Sequence, residues 1–199
     1  MSSPLPDPFA GSEWDLRPPR PIAPSPAAFG SDLRGKRVLI GLPGIGWRGD
    51  LRADEKVVQG SRTYVPVIAE QEWYRSEAER TEVFAPLVPV ERVWVEDLGL
   101  SEPAGVGPAG APSRLVSLDE PPRRRPVAAL DADSLTGRRV VRTDGGREQR
   151  DLRAVTELHT GAGGDVCARV AAEEDWYRWV WSGKTPQTTP VPAHQLWVE

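Results

Sequence analysis

Short hydrophobic runs, separated by glycine, proline and polar residues, recur twice along this chain in the same order. Residues 36–40 and 138–141 are short and rich in β-branched side chains, which predicts a strand in each copy. Residues 51–58 and 152–158 then alternate between hydrophobic and polar positions, the pattern of a half-buried strand. The alternative for the second copy is a helix capped by Asp151. We favour the strand because the first copy lacks the corresponding hydrophobic helix face.

Each copy continues with three further elements. We predict a third strand, a short helix and a closing strand at residues 64–68, 70–80 and 88–96 in the first copy and at residues 166–170, 171–181 and 191–199 in the second. The helical segments contain neither glycine nor proline, and their acidic residues gather in the first turn, where the helix dipole favours negative charge. Pro66 places the third strand of the first copy at an edge or a bulge.

The similarity between the copies extends to individual residues. The closing segments are Val-Pro-Val-Glu-Arg-Val-Trp-Val-Glu from Val88 and Val-Pro-Ala-His-Gln-Leu-Trp-Val-Glu from Val191, with five identical positions. Three further landmarks, which begin at positions 33 and 135, 50 and 151, and 72 and 175, keep the same order with offsets of 101 to 103 residues. Four landmarks at a nearly constant offset predict an internal duplication.

The repeat defines two units, at residues 33–98 and 135–199. Each presents a strand, a loop, two strands, a short helix and a strand, and this order resembles a small SH3-like barrel. The resemblance implies a mainly β fold with short helices, in which two tandem homologous barrels are filled by a few large side chains. Residues 99–134 begin with glycine, alanine and proline and end with a proline-flanked arginine run, which is typical of a linker.

The N-terminal segment, residues 1–32, is rich in proline, which predicts an extended tail. Two alternatives give parts of this tail a role. Trp14 and Leu16 are candidates to dock on a folded unit, and residues 20–24 are a candidate ligand for an aromatic groove.

Eight tryptophans supply many of the large hydrophobic side chains. Those that recur, Trp73 with Trp176 and Trp94 with Trp197, are predicted to lie in the cores. Aromatic residues that differ between the copies are candidates for partner binding, because exposed Trp and Arg are enriched in binding hot spots. These candidates are Trp47 and Arg48 in the loop of the first copy, and Trp179 and Trp181 on the helix of the second. Tyr177, which shares a helix face with Trp181, is a further candidate, because the four aromatic rings of that helix cannot all face one core.

The formal net charge is −4, and basic and acidic residues are balanced within each unit. The start of the second unit is the one arginine-rich region. Nucleic-acid binding there requires its side chains to gather on one face. We favour the alternative of a solvated strand face balanced by nearby acidic residues. The candidate nucleic-acid contacts are Arg138, Arg139, Arg142 and Arg147.

The segment Gly44-Ile45-Gly46-Trp47-Arg48-Gly49 matches the G-x-G-x-x-G pattern of dinucleotide-binding loops. That function requires a helix that starts at the loop, so that its N-terminus holds the pyrophosphate. The following segment is predicted as a strand, and the second copy lacks the pattern. We therefore interpret residues 41–49 as a turn between strands and predict no cofactor. An enzyme that uses this loop is the least favoured hypothesis.

Cys167 is the only cysteine, and His159 and His194 are the only histidines. An intrachain disulfide is excluded, and no metal site is predicted because these residues do not lie at ligand spacing. Cys167 is predicted to be a small buried residue. No secretory signal is visible, and no apolar run approaches the ~18 residues of a membrane span, so we expect a cytoplasmic location without membrane contact.

Together these patterns predict a non-catalytic intracellular binding or adaptor protein whose partner is another protein. The alternative is a nucleic-acid-binding protein that uses the arginine-rich start of the second unit.

Overall fold

The computed structural model describes residue 12 and residues 17–42, 46–98, 121, 123–161 and 163–199, except the side chains of residues 97 and 98. The described chain is mainly β, with two short α-helices and two curled antiparallel sheets that each form half a barrel. One sheet lies in a unit of Pro21–Arg124, which we call the N-unit. The other lies in the C-unit, which combines Arg125–Glu199 with Met1–Arg20. The predicted docking of Trp14 and Leu16 falls outside the described residues.

The N-unit carries a sheet in the order β1-β7-β2-β3-β5-β4. The strand β6 also pairs with β5, at residues 64–66. All of these pairings are antiparallel. Its elements are β1 (Ile22–Pro26), β2 (Arg37–Leu42), β3 (Gly46–Ala53), β4 (Val57–Gln59), β5 (Arg62–Ala69), α1 (Glu70–Glu79), β6 (Leu87–Pro89) and β7 (Val93–Leu98).

The C-unit carries a sheet in the order β11-β12-β10-β9-β14-β8, with β13 paired to β12. Its elements are β8 (Val127–Ala128), β9 (Arg139–Asp144), β10 (Arg147–Ala154), β11 (His159–Thr160), β12 (Val166–Ala172), α2 (Glu173–Ser182), β13 (Thr189–Pro192) and β14 (Leu196–Val198). Leu152 therefore lies in a strand, which confirms the strand prediction over the capped helix. Both predicted helices and the first and third predicted strands of each copy are confirmed. The second strand is displaced: it was predicted at residues 51–58 and 152–158, but β3 ends at Ala53 and β10 at Ala154, and residues 54–56 and 155–158 are irregular.

Each unit gains an edge strand from a segment predicted to be irregular. β1 lies within the predicted tail and pairs with β7, and β8 lies within the predicted linker and pairs with β14. Ile22 of β1 is buried, and its backbone also pairs with Arg124 within the predicted linker. The N-unit thus starts at Pro21 rather than at residue 33.

The glycine-rich loop predicted at residues 41–49 is shorter than expected, because β2 runs to Leu42 and β3 starts at Gly46. In the C-unit the equivalent hairpin closes on Gly145 and Gly146. Both have positive φ, at 56° and 78°. This is the backbone that a two-residue hairpin turn requires, and glycine adopts it without steric cost.

The same β-bulge interrupts the first hairpin of both units. The pairing register shifts between Val38 and Ile40 in the N-unit and between Gln149 and Leu152 in the C-unit. Asp50 and Asp151 lie in the bulges with φ of 56° and 58°. Aspartate visits this left-handed region more readily than most residues. A bulge increases the local twist, so both sheets curl at the same point.

The prediction of a single closing strand is wrong in both units. The strands β6 and β13 end at Pro89 and Pro192, and a three-residue 3-10 turn follows each. β7 and β14 then pair with the first hairpin strand, whereas β6 and β13 pair with the third long strand. Because proline has no N–H to continue a ladder, the chain turns there and changes partners.

One face of each sheet closes over an aliphatic core in which alternate strand residues meet. Burying each of the larger side chains contributes about 1.5–3 kcal/mol. The buried core residues are Ala27, Leu33, Val38, Ile40, Leu51, Ala53, Val65, Val67, Val93 and Val95 in the N-unit, and Ala129, Leu135, Val140, Leu152, Ala154, Ala168, Val170, Val191, Leu196 and Val198 in the C-unit.

The recurring tryptophans lie outside these two clusters. Trp94 and Trp197 are half-buried and pair in register with Leu39 and Val141, whose side chains face the opposite side of the sheet from the cores. The indole N–H of Trp197 donates to Thr143 Oγ1 at 3.1 Å. The prediction that they fill the barrels is therefore wrong.

The loop that follows β3 and β10 is anchored by opposite charges in the two units. Three residues after Ala53, the ammonium of Lys56 donates to the carbonyls of Ala28 and Gly30, at 3.0 and 2.7 Å. Three residues after Ala154, the carboxylate of Glu157 instead accepts from the N–H groups of Thr136 and Leu135, both at 2.9 Å, and from the Ser134 hydroxyl at 3.0 Å. These hydrogen bonds lower the pKa of Glu157 to about 2.

Candidate functional site

A buried arginine joins helix α1 to the sheet of the N-unit. The Nε of Arg52 lies 3.0 Å from Glu70 Oε1 at the first position of the helix. The guanidinium also donates to the Gly35 carbonyl at 2.9 Å and to the Tyr74 hydroxyl at 2.8 Å. Gly35 has a φ of 73°, so glycine is suited to the turn that presents this carbonyl.

The C-unit repeats this arrangement. Arg153 donates to Glu173 Oε1 at 2.9 Å, to the Gly137 carbonyl at 2.9 Å and to the Tyr177 hydroxyl at 2.7 Å. Arg139 donates to the same oxygen of Glu173 at 2.9 Å. The Glu173 side chain is fully buried. We call this set, with its counterpart in the N-unit, the buried network.

The buried network fixes the helices and leaves its charges no access to a substrate. Its guanidinium groups are directed at carboxylate, carbonyl and phenol oxygens, and such pairing makes a buried charge tolerable. Sequence reasoning missed this network because a strand arginine and a helix-start glutamate resemble surface residues. Its signal was the recurrence of Asp-Leu-Arg-Ala, together with Glu and Tyr four residues apart at Glu70/Tyr74 and Glu173/Tyr177.

Among the residues predicted to bind a partner, those on helix α2 expose the most hydrophobic surface. Trp179 is 36% exposed and Val180 49% exposed, while Trp181 is half-buried. We call these three residues the helix patch. Tyr177, predicted to belong to this surface, is only 7% exposed and points its hydroxyl at Arg153. Its assignment as a partner contact is therefore corrected to a buried structural role.

Helix α1 offers a matched comparison. Counted from Tyr74 and Tyr177, the residues of the helix patch correspond to Ser76, Glu77 and Ala78. The two helices have the same length and the same buried glutamate at their first position. Of the two helices, α2 therefore carries this hydrophobic surface and α1 does not.

Trp47 and Arg48 lie in strand β3 rather than at a loop tip. The Trp47 ring packs over Gly41, where a Cβ atom would come within 3.1 Å of it, and meets Trp94 edge-on with centroids 6.2 Å apart. Trp47 is half-buried, and Arg48 is exposed beside it. The two residues are therefore adjacent along the strand, with Trp47 engaged in packing.

The four candidate arginines at the start of the second copy do not all lie on one face. Arg139 is buried in the network, which corrects its assignment as a nucleic-acid contact. Arg142, three residues after Arg139, points to the opposite face of strand β9. Its Nη2 lies 3.2 Å from Asp144 Oδ2. Arg138 and Arg147 are exposed.

The G-x-G-x-x-G segment leads into strand β3, not into a helix. Gly46 has a φ of 103° at the start of this strand. Residues 43–45, which include the first glycine of the pattern, lie outside the described residues. The geometry in the described part is that of a hairpin, which lacks the helix N-terminus that holds a pyrophosphate.

Cys167 is buried in β12, and its Sγ lies 3.7 Å from Nε2 of the exposed His159. Nδ1 of His159 lies 3.1 Å from the Glu157 carbonyl oxygen. His194 lies in the 3-10 turn before β14. In the part of the chain that the structure describes, no three His, Cys, Asp or Glu side chains are grouped to hold a metal ion.

Neither described helix is long and apolar enough to cross a membrane. No protein-family model, curated protein or solved structure matches this chain.

Proposed function

We propose that this chain is a non-catalytic protein-binding adaptor built from two tandem SH3-like units, and that the helix patch is its partner-binding surface. The observation that carries the proposal is the exposure of Trp179 and Val180 beside Trp181, at positions where helix α1 has Ser76, Glu77 and Ala78. The two copies of the helix thus differ in that α2 exposes hydrophobic side chains where α1 has polar or small ones.

The strand order supports the SH3-like assignment. In the N-unit the five principal strands lie in the order β7-β2-β3-β5-β6. A 3-10 turn connects β6 to β7 along the chain. The C-unit has the equivalent order β14-β9-β10-β12-β13 and the equivalent turn. A curled antiparallel sheet of this kind is compatible with a small SH3-like barrel, although the sequence pattern predicted four strands in each unit and not five. The helix is an insertion between the third and fourth strands.

The chemistry of the helix patch fits a protein partner. Exposed tryptophan is enriched in binding hot spots, where its large rigid ring fills a pocket at small cost in conformational entropy. Charged residues lie on the same helix, where Arg178 pairs with Glu174 and Asp175. A hydrophobic centre with a polar surrounding is the usual anatomy of an interface.

The test transfers the surface of α1 onto α2 in the full chain. A variant with Trp179→Ser, Val180→Glu and Trp181→Ala carries the residues of the N-unit at the equivalent positions. A partner isolated with the wild-type chain from native extract and then purified should bind this variant about 30-fold more weakly, the equivalent of about 2 kcal/mol for a hot spot. Isothermal titration of the purified pair measures the loss.

A matched control changes two exposed positions of helix α1, with Glu77→Ser and Glu79→Ser, and should leave the affinity unchanged. Because Trp181 is half-buried, a second variant with only Trp179→Ser and Val180→Glu separates lost binding from lost folding. Undiminished binding by both α2 variants contradicts the proposal.

A further inference from the structure

The C-unit contains a segment from much earlier in the chain. Residues 17–20, Arg-Pro-Pro-Arg, lie beside the β9–β10 hairpin, and we call them the arm. Pro19 is buried. The N–H of Arg20 donates to Glu148 Oε1 at 2.8 Å, and its side-chain Nε lies 3.4 Å from Glu148 Oε2. The carbonyl of Arg20 accepts from Arg150 Nη2 at 2.7 Å. Two side chains of the hairpin thus engage one arm residue through its N–H, carbonyl and cation.

The two receiving side chains hold each other in position. Arg150 donates to Glu148 Oε2 through Nε and Nη2, at 3.2 and 3.0 Å, and through Nη1 to Glu199 at 2.6 Å. The side chains of Arg150 and Glu199 are almost fully buried. Groups fixed by such contacts lose little freedom when a ligand binds, which favours affinity.

The charge of this site suits a cationic ligand. Burial raises the pKa of Glu148, but the hydrogen bond from the Arg20 N–H and the hydrogen bond and charge of Arg150 outweigh this effect and hold the pKa below its usual range. Glu148 is therefore ionised at neutral pH. A charge-assisted bond to an arginine is among the stronger polar contacts available to a protein.

The site also has room beside its present occupant. A cleft of about 410 Å³ lies between the arm and the hairpin, lined on the hairpin side by Thr143, Gly146 and Glu148. The N-unit has Trp47 and Gly49 at the positions of Glu148 and Arg150. Neither can supply these charges, so the site is specific to the C-unit.

We propose that the outer face of the β9–β10 hairpin is a binding site for an extended proline–arginine segment of a partner protein, and that the arm is an internal ligand which this segment displaces. Prolines suit such a site because they favour an extended backbone and lack N–H groups that would need partners. The inference rests on the proposed adaptor function for the existence of a protein partner. It adds that the partner carries a proline–arginine segment, which binds at a second surface. The helix-patch variants do not alter this surface, so the two proposals can fail independently.

Tethering sets the size of the competition. Although the arm and its site are far apart in sequence, Ile22 next to the arm pairs with Arg124, the residue before the C-unit resumes. The arm is therefore held by a short connection in space, for which the effective concentration is about 1 mM. For a peptide with an intrinsic dissociation constant of about 0.1 mM, such an arm weakens apparent binding about tenfold. Removing the arm contacts should therefore strengthen peptide binding by about that factor.

The experiment uses the full chain and a variant with Pro19→Ala and Arg20→Pro. Proline removes both the N–H and the cation that Arg20 offers to Glu148, and the hairpin itself is not altered. The probe is an acetylated, amidated peptide of residues 17–21, titrated up to about 5 mM, above the effective concentration of a tethered segment. Amide NMR shifts of residues 143–150 report binding. The arm variant should bind the peptide about tenfold more tightly than the wild type. The same peptide with alanine in place of Arg20 should lose at least tenfold in affinity.

Adding Glu148→Gln to the arm variant should abolish the gain, whereas Glu91→Gln, at an exposed position of the N-unit, should preserve it. The alanine peptide keeps the test valid if Glu148→Gln lowers folding stability. The proposal is overturned if the arm variant binds no better than the wild type, if the alanine peptide binds equally well, or if no binding is seen. Dimerisation of the wild type that depends on the arm, measured by light scattering, would overturn it in favour of exchange between copies.

Discussion

The two units keep the same buried network but surround it with different surfaces. Arg52, Glu70 and Tyr74 in the N-unit correspond one to one with Arg153, Glu173 and Tyr177 in the C-unit. Outside the network the equivalent positions diverge in size and in charge. The loop anchor shows this most clearly, since Lys56 in one unit and Glu157 in the other hold the same loop with opposite charges.

This difference shows which contacts tolerate replacement. A buried ion pair cannot lose one member without leaving the other charge uncompensated in a medium that solvates it poorly. An anchor that is at least partly exposed has no such constraint, because a cation can bind carbonyls and an anion can bind N–H groups. The two partner-binding surfaces proposed above, on helix α2 and on the β9–β10 hairpin, consist of residues outside the buried network, where replacement is better tolerated.

The largest expected effect comes from breaking the buried network. Glu173→Gln removes the charge that faces both Arg139 and Arg153, and should lower the free energy of unfolding by about 3–5 kcal/mol. Glu70→Gln should have an effect of the same order in the N-unit. Urea denaturation followed by circular dichroism and tryptophan fluorescence measures both losses.

The control for this prediction is Glu174→Gln, one residue along the same helix. Glu174 is exposed and pairs with Arg178 on the surface, so its loss should cost less than about 1 kcal/mol. Equal losses in the free energy of unfolding for Glu173→Gln and Glu174→Gln would contradict the prediction that the buried network contributes more to stability than a surface ion pair.

A smaller effect is expected at the shared β-bulge. Asp151→Val places a β-branched residue at positive φ, where the strain of about 1–2 kcal/mol exceeds the ~0.5–1 kcal/mol entropic cost of glycine. Asp151→Val should therefore be about 1 kcal/mol less stable than Asp151→Gly, and the same order should hold at Asp50. Both variants lose the carboxylate, so the comparison isolates the backbone. Thermal unfolding of each pair tests the difference.

At Asp144, which lies in strand β9 with an ordinary φ, the order should reverse, because valine is favoured in strands and glycine is not. If valine were the worse residue at Asp144 too, the bulge interpretation would fail.

The smallest expected effect separates the two loop anchors by pH. The folded pKa of Glu157 is lowered from 4.5 to about 2, so its contribution to stability is present above pH 4.5 and is lost as the pH falls towards 2. Glu157→Gln should therefore lower the melting temperature at neutral pH, and this difference from the wild type should vanish near pH 2. Lys56→Gln should show no such convergence, because its anchor contains no carboxyl group. Melting curves between pH 2 and 7 distinguish the two.

The repeat and most of its strands could be predicted from the sequence, because hydrophobic alternation and recurring landmarks report directly on strands that bury one face. The break in the closing segment could not, since Val90-Glu91-Arg92 contains no glycine or other turn residue. Only Pro89 hinted at it. The edge strand β1 was hidden by its prolines, which pair at the edge of the sheet where their missing N–H groups are tolerated.

The candidate sites were predicted less well, for a physical reason. Tryptophans were assigned to the core by size, but a small barrel filled by valine and leucine has no room for them, so Trp94 and Trp197 lie on its outer face. Tyr177 is buried instead, because its hydroxyl has a charged partner. The docking of Arg20 on Glu148 depends on residues 128 positions apart, a separation that no local pattern can report.

That separation has a consequence for how the protein is made. At about 5–20 residues per second, a ribosome needs roughly 6–25 s to proceed from Arg20 to Glu148. During this interval the arm has emerged while the strands that receive it do not yet exist. Docking of the arm is therefore a late event in biosynthesis, and every newly made chain passes through a period in which its proline–arginine segment is exposed to the rest of the cell.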